Sequence, residues 1–279
     1  MSQSYLIVGA SSDIALELGS KLIEKGHVIT LLARDAQRVE HLVSQGAHFI
    51  QGDALDKDSV QKAVELANEN GGGKISGVAH LVGSLVIRPP HALALDAFNE
   101  VIHTNLSSAF LTLSVAGKSM LRNGGGRMVF TSSVAATLGL MNHEAIAAAK
   151  GGIESMVRSA ASTYSQRNIR VNAVAPGLTE TRLAETLLRS DAIREAAVGK
   201  IPLKRINQRQ EIASTMEWLL CDAPDNFTGQ VLHLDGGMSQ INGGLHGLEE
   251  CTEDKTLETW QNQNANIWPQ NSNGWPTWR

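Results

Sequence analysis

What most constrains this chain is an alternation, kept from the N-terminus to about residue 235, between short apolar runs and longer segments with helical apolar spacing. Short apolar runs bounded by turn residues read as buried strands, and apolar spacings of three and four read as amphipathic helices. Tyr5–Val8 is such a run, closed by Gly9. Asp13–Lys25 follows, with Ile14, Leu16, Leu18, Leu22 and Ile23 apolar and Gly26 as its stop. The same reading predicts strands at His27–Leu32, from Phe49–Ile50, and at Gly77–Val82, Met128–Thr131, Val171–Val174 and Val231–Leu234. It predicts helices at Ala36–Gln45, Ser59–Asn68, Leu95–Ile102, Ser107–Leu121 and Ala145–Gln166, and an amphipathic stretch at Leu183–Leu203.

Strands separated by helices cannot form hairpins, so they pair in parallel and the helices cover both faces of the sheet. The expected fold is therefore a single-domain α/β protein with a doubly wound, Rossmann-type parallel sheet. Hydrophobic residues make up 42% of the 279, enough for such a core. A net charge of −4 offers no electrostatic case for nucleic acid. Cys221 and Cys251 have neither metal-ligand spacing nor a disulfide framework, so no metal site is expected and a reducing compartment fits. No apolar stretch reaches the roughly 18 residues of a membrane span, and the first residues lack a basic, then apolar, leader. The expectation is a cytoplasmic protein without a membrane partner. The main domain is expected to span 1–240. The remainder, 241–279, carries Trp260, Trp268, Trp275 and Trp278 among Asn, Gln, Pro and Gly. It reads either as a disordered tail or as an arm whose indoles dock on a neighbouring subunit or over a site.

The first strand meets the first helix in Leu6-Ile-Val-Gly9-Ala-Ser11-Ser12-Asp13-Ile14-Ala15. Gly9 can take the backbone angles of a tight turn. Ser11 and Ser12 bring small hydroxyls, and the helix start brings free N–H groups and a positive dipole end, which together suit a pyrophosphate. The turn resembles that of the short-chain dehydrogenase/reductase family, whose pattern is Gly-x-x-x-Gly-x-Gly, with Asp13 and Ala15 here in place of the second and third glycines. Asp13, an anion where phosphate is expected, is read as capping its own helix. The resemblance continues in family order through Asn105, Thr131-Ser132-Ser133, Lys150, Arg170-Val-Asn-Ala-Val-Ala-Pro176-Gly177, Thr181 and Asp235-Gly-Gly237. In the family's Asn-Asn-Ala-Gly motif only Gly83 matches, the rest reading His80-Leu81-Val82.

The resemblance implies a nicotinamide dinucleotide. The second strand runs into Ala33-Arg34-Asp35, which leaves the NAD-selecting acidic position empty and offers Arg34 to a 2′-phosphate, so NADP(H) is expected over NAD(H). By resemblance Asp53 and Ala54 border the adenine, Lys150 holds the nicotinamide ribose, and Pro176-Gly177 meet the carboxamide. Thr179 and Thr181 bond the amide or a phosphate. Ser133 binds the substrate oxygen, Asn105 holds a helix kink and a water, Leu183–Leu203 is a substrate lid or a plain packed helix, and the long helix pairs subunits into a dimer or tetramer.

One family member is missing. The proton-transferring Tyr stands four residues before the Lys, and here that position is Ile146. Tyr5 and Tyr164 are placed too far away to replace it. His143 lies seven residues before Lys150, where the enoyl-reductase branch has its Tyr. If the helix includes His143, spacing brings His143, Ile146 and Lys150 to one face, and imidazole is a competent acid–base group near neutrality. Glu144 is the next candidate. Val86, Ile87 and Leu93 point to an apolar substrate. Three functions stay open: an NADP(H)-dependent oxidoreductase acting on a carbonyl or activated double bond without Tyr, a cofactor-holding pseudoenzyme, and a non-redox lyase or isomerase.

Overall fold

The computed structural model describes residues 2–241, so the tryptophan-rich segment, apart from Ile241, lies outside the described residues. Seven strands form one parallel sheet: β1 Ser4–Val8, β2 Val28–Ala33, β3 His48–Gln51, β4 Gly77–His80, β5 Gly126–Thr131, β6 Ile169–Pro176 and β7 Val231–Leu234. Their order across the sheet is β3-β2-β1-β4-β5-β6-β7. The chain moves outward from β1 to β3, then returns to the other side of β1 and moves outward again. β1 is therefore the switch point, with Leu6 in register with Thr30 of β2 and Val78 of β4.

The helices are α1 Asp13–Glu24, α2 Glu40–Ser44, α3 Lys57–Asn70, α4 Leu95–Ile102, α5 Ser108–Arg122, α6 Glu144–Tyr164, α7 Asp191–Gly199 and α8 Arg209–Cys221. Successive strand side chains point to opposite faces, and β1 shows the result. Leu6 and Val8 pack with Val60 and Val64 of α3, Leu113 of α5, and Ile153 and Val157 of α6. Tyr5 and Ile7 pack with Leu18 and Leu22 of α1 and with Ile212 and Met216 of α8. Both faces of a central strand are thus apolar, and the strand reads as a continuous run.

Some expected elements change on folding. The segment Ala36–Gln45 is a 3₁₀ turn, Gln37–Val39, followed by the short α2, because Val39 leaves helical angles at the junction (φ −99°, ψ 0°). β4 ends at His80 rather than Val82, although the Leu81 N–H still donates to Val8 O at 2.8 Å. Leu183–Leu203 is not one helix but a 3₁₀ helix, Arg182–Leu187, and then α7, whose N-cap is the Ser190 hydroxyl. A π-helical turn, His103–Ser107, joins α4 to α5. α8 was not anticipated, although Gln208 and Glu211 form a capping box before its apolar residues.

Candidate active site

A cavity of about 1090 Å³ opens at the carboxyl ends of the strands. It collects the segments that leave β1 to β6, the place where open α/β sheets bind their ligands. Every residue that the sequence assigns to a dinucleotide, from Gly9 to Thr181, lines this cavity, as do Asn105, Ser133 and His143.

Gly9 begins the turn after β1 with φ +80°. A Cβ there would lie 2.7 Å from the Val82 backbone nitrogen, so both angle and space require glycine. The N-cap of α1 is Ser12, whose hydroxyl accepts the Ala15 N–H at 3.2 Å. Asp13 therefore does not cap its own helix, contrary to the sequence reading. Its Oδ1 lies 2.6 Å from Nη2 of Arg38, and its Oδ2 accepts the backbone N–H of Arg182 at 2.7 Å. With Ser12 already on the helix end, the Asp13 carboxylate is free for partners distant in sequence. Arg34 extends from the end of β2 with its side chain 81% exposed, 3.8 Å from the Asp53 carboxylate. Asp53 itself accepts the Leu55 N–H.

The end of the cavity that holds Lys150 is built by β5, α6 and the π-turn. Lys150 is buried on α6, and its Nζ donates to Thr131 O at 2.8 Å. Burial lowers its pKa to about 7, because little water solvates the ammonium. Gly83 keeps the space beside it open: a Cβ there would lie 3.8 Å from Nζ and 3.3 Å from Asn105 Oδ1. Asn105 is fully buried in the π-turn. Its Nδ2 donates to Val101 O at 2.9 Å and to the Ser84 carbonyl and hydroxyl, while its Oδ1 accepts the Ser84 N–H. The carboxamide thus ties the irregular helix to the loop after β4. Ser133 starts a 3₁₀ turn, its oxygen accepting the Ala135 N–H at 3.2 Å, so its own proton is available to a ligand.

His143 is not in α6, which starts at Glu144. It is the N-cap residue, with φ −106° and ψ 16°. The premise of three residues on one helical face therefore fails, although His143 still lines the cavity. Its Nδ1 lies 2.7 Å from Met141 O. A carbonyl only accepts, so Nδ1 carries the proton and Nε2 is the nitrogen left for a ligand. Ile146 is 4% exposed and packs with Val101, Ala135, Ala145 and Ala149, an apolar cluster where a hydroxyl was expected by resemblance. Val86, Ile87 and Leu93 do not line the cavity, which takes Leu85, Leu140 and Leu183 instead, and Val86 and Leu93 pack against this cluster.

Two buried groups were not foreseen. Glu154, one turn beyond Lys150, accepts from the Ser132 hydroxyl at 2.7 Å, bracing the strand end that presents Ser133. His80 lies in β4 with Nε2 2.9 Å from Ser108 Oγ. Ser108 donates its proton to Thr104 O, so His80 must donate at Nε2. Burial, then the nearby Lys150 charge, lowers the His80 pKa to about 3, and it stays neutral. Its position in a strand pattern carried no signal beyond a family mismatch.

The family model described as enoyl-(acyl carrier protein) reductase matches residues 9–239. The chain belongs to the short-chain dehydrogenase/reductase family. It is 30% identical over 241 residues to the 3-oxoacyl-[acyl-carrier-protein] reductase MabA of Mycobacterium tuberculosis, covering 85% of this chain and 93% of the relative. It is 35% identical over 249 residues to carbonyl reductase family member 4 of Danio rerio, covering 86% and 100%. Among solved structures, a short-chain type dehydrogenase/reductase from Mycobacterium ulcerans superposes with a TM-score of 0.81 at 26% identity, covering 87% of this chain and 93% of that one.

As a short-chain dehydrogenase/reductase, the chain has the NAD(P)H-binding Rossmann fold of a family whose general function is oxidoreduction of carbonyl and alcohol substrates. The residues on the cavity wall fit a dinucleotide. Gly9 allows close backbone approach, α1 starts at the cavity, and Arg34 is exposed at the end of β2. The Thr179 hydroxyl donates to Gly177 O and the Thr181 hydroxyl to Thr179 O, so both oxygens keep lone pairs that can accept an amide N–H, while their protons are taken within the chain. Gly177 has a packing reason as well: a Cβ there would lie 2.8 Å from the Asp235 Cα. No helix among the described residues is long and apolar enough to cross a membrane, and none of their His, Cys, Asp and Glu side chains groups as a metal site.

Proposed function

We propose that this protein is an NADPH-dependent reductase of a carbonyl or activated double bond that works without a tyrosine. The observation that carries this reading is one cavity lined by the Gly9 turn, Arg34, Lys150, Ser133 and His143, with the buried Ile146 also on its lining. A bound nicotinamide supplies the hydride. Lys150 holds the nicotinamide ribose with the two ammonium protons that Thr131 does not take. Ser133 donates its free O–H to the substrate oxygen and orients it. His143, its Nδ1 proton held by Met141, delivers a proton from Nε2 when it is charged. Leu140, Ile146 and Leu183 on the lining of the same cavity favour an apolar substrate. Arg34 meets the 2′-phosphate, which selects NADPH over NADH. The chain self-associates, as the family resemblance implies.

The test is a side-by-side titration with NADPH and NADH, followed by turnover on a panel of ketones and enones. The expected result is micromolar NADPH binding, at least tenfold tighter than NADH, with His143→Ala lowering kcat on a reduced substrate by about 10²-fold. Tighter NADH binding overturns the cofactor assignment, and full activity in His143→Ala overturns the proton donor. NADPH binding without turnover on any of the panel favours a cofactor-holding protein, a reading to which the buried Ile146 side chain lends support.

A further inference from the structure

We infer that Asp13 is a positioning residue that caps, from the dinucleotide turn, the helix that begins the cover of the cavity. The 3₁₀ helix Arg182–Leu187 lacks a cap from its own neighbourhood: its N-cap residue, Thr181, makes no side-chain capping bond and donates to Thr179 O instead. A helix start leaves N–H groups in need of acceptors. The first of them, that of Arg182, is taken by Oδ2 of Asp13 at 2.7 Å, from 169 residues away in the chain.

The Asp13 side chain is only 12% exposed, and its other oxygen is held by Arg38, itself 17% exposed. The carboxylate is thus fixed on both sides: Arg38 aims it, and the Arg182 N–H receives it. Because Ser12 caps α1, Asp13 can sit in the first turn of one helix and serve the start of another. Leu183, Ala184 and Leu187 follow directly and line the cavity, so the bond joins the wall that would meet the phosphates to the wall that would meet a substrate. The capping bond is independent of any ligand. Its service as a link between cofactor and substrate rests on the function proposed above.

The experiment uses the full chain without nucleotide and compares wild type, Asp13→Asn and Asp13→Ala. The asparagine keeps an oxygen acceptor and loses the charge, whereas the alanine loses both. Hydrogen exchange at the Arg182 amide and tryptic cleavage after Arg182 and Arg189 report the capping bond, and thermal unfolding reports the whole fold. We expect Asp13→Ala to speed exchange and cleavage there about five- to tenfold, the usual range for a lost cap. Asp13→Asn should restore most of the protection, and the unfolding temperature should stay within a few degrees in both. Unchanged exchange in Asp13→Ala overturns the assignment. So does equal loss in both variants, or a fall in unfolding temperature with protection lost throughout the chain. A separate NADPH titration of wild type shows whether the proposed cofactor role fails while the capping bond survives.

Discussion

Lys150 shows how a single residue can be held against its own preference. Burial removes water from the ammonium, and among the described residues no carboxylate lies within salt-bridge distance to replace it. Its pKa falls from 10.5 to about 7. The unfolded chain then binds more protons than the folded one between about pH 7 and 10.5, so this group's destabilisation is greatest below about 7 and fades as pH rises towards 10.5. Lys150→Met removes the charge and keeps the apolar stem. The variant should unfold roughly 5 °C higher than wild type at pH 6.5, on the scale of a few kcal/mol for a buried cation. The gap should close by about pH 10.5, and thermal scans at both pH values check it. A gap that does not change with pH would mean that packing, not charge, sets the difference. Residues that destabilise the fold in this way are retained where function requires them.

At the scale of elements, the predicted helices and strands appear, while the unforeseen or altered ones depend on contacts from outside their own segment. α8 carries its apolar face at Ile212, Met216, Leu219 and Leu220, a helical spacing that stands in the sequence between the strands predicted at Val171–Val174 and Val231–Leu234. Its start is fixed by Glu211, whose carboxylate accepts the Gln208 N–H at 2.8 Å and two bonds from Arg205. Those bonds hold the Glu211 pKa down to about 2. Glu211→Ala should lower stability by about 1 kcal/mol, the usual cost of a lost cap, read as a shifted urea midpoint with an unchanged slope. A shift of several times that size would mean that α8 braces more than its own first turn. The helix Arg182–Leu187 makes the same point in reverse, since its cap comes from α1 and no local pattern could announce it.

For the whole molecule, the parallel sheet decides where chemistry can happen. Strands in parallel place all their carboxyl ends on one side, so the loops after β1 to β6 meet in one cavity although they lie far apart in the chain. Self-association belongs to this scale, because α5 leaves Phe110 and Leu121 exposed. Sedimentation should give a mass of two or four times 29.9 kDa; the mass of one chain would exclude the subunit pairing that the family resemblance implies.

The sequence by itself determined the fold class, because the strand–helix alternation and the apolar strands leave a two-faced parallel sheet as the main way to bury them. It also placed the tight turn at Gly9 before the first helix, although with Asp13 rather than Ser12 as the cap, and it put Ile146 where the family resemblance has a tyrosine, which spacing from Lys150 exposes. The tertiary structure alone decided the rest. It moved His143 out of α6 and set its tautomer through Met141, and it gave the Asp13 carboxylate to Arg38 and Arg182. It also buried His80 and Glu154 near Lys150 and left Val86, Ile87 and Leu93 off the cavity lining. Each of these depends on which groups meet across the sheet ends, and a one-dimensional pattern carries no record of distances between segments that fold together only in three dimensions.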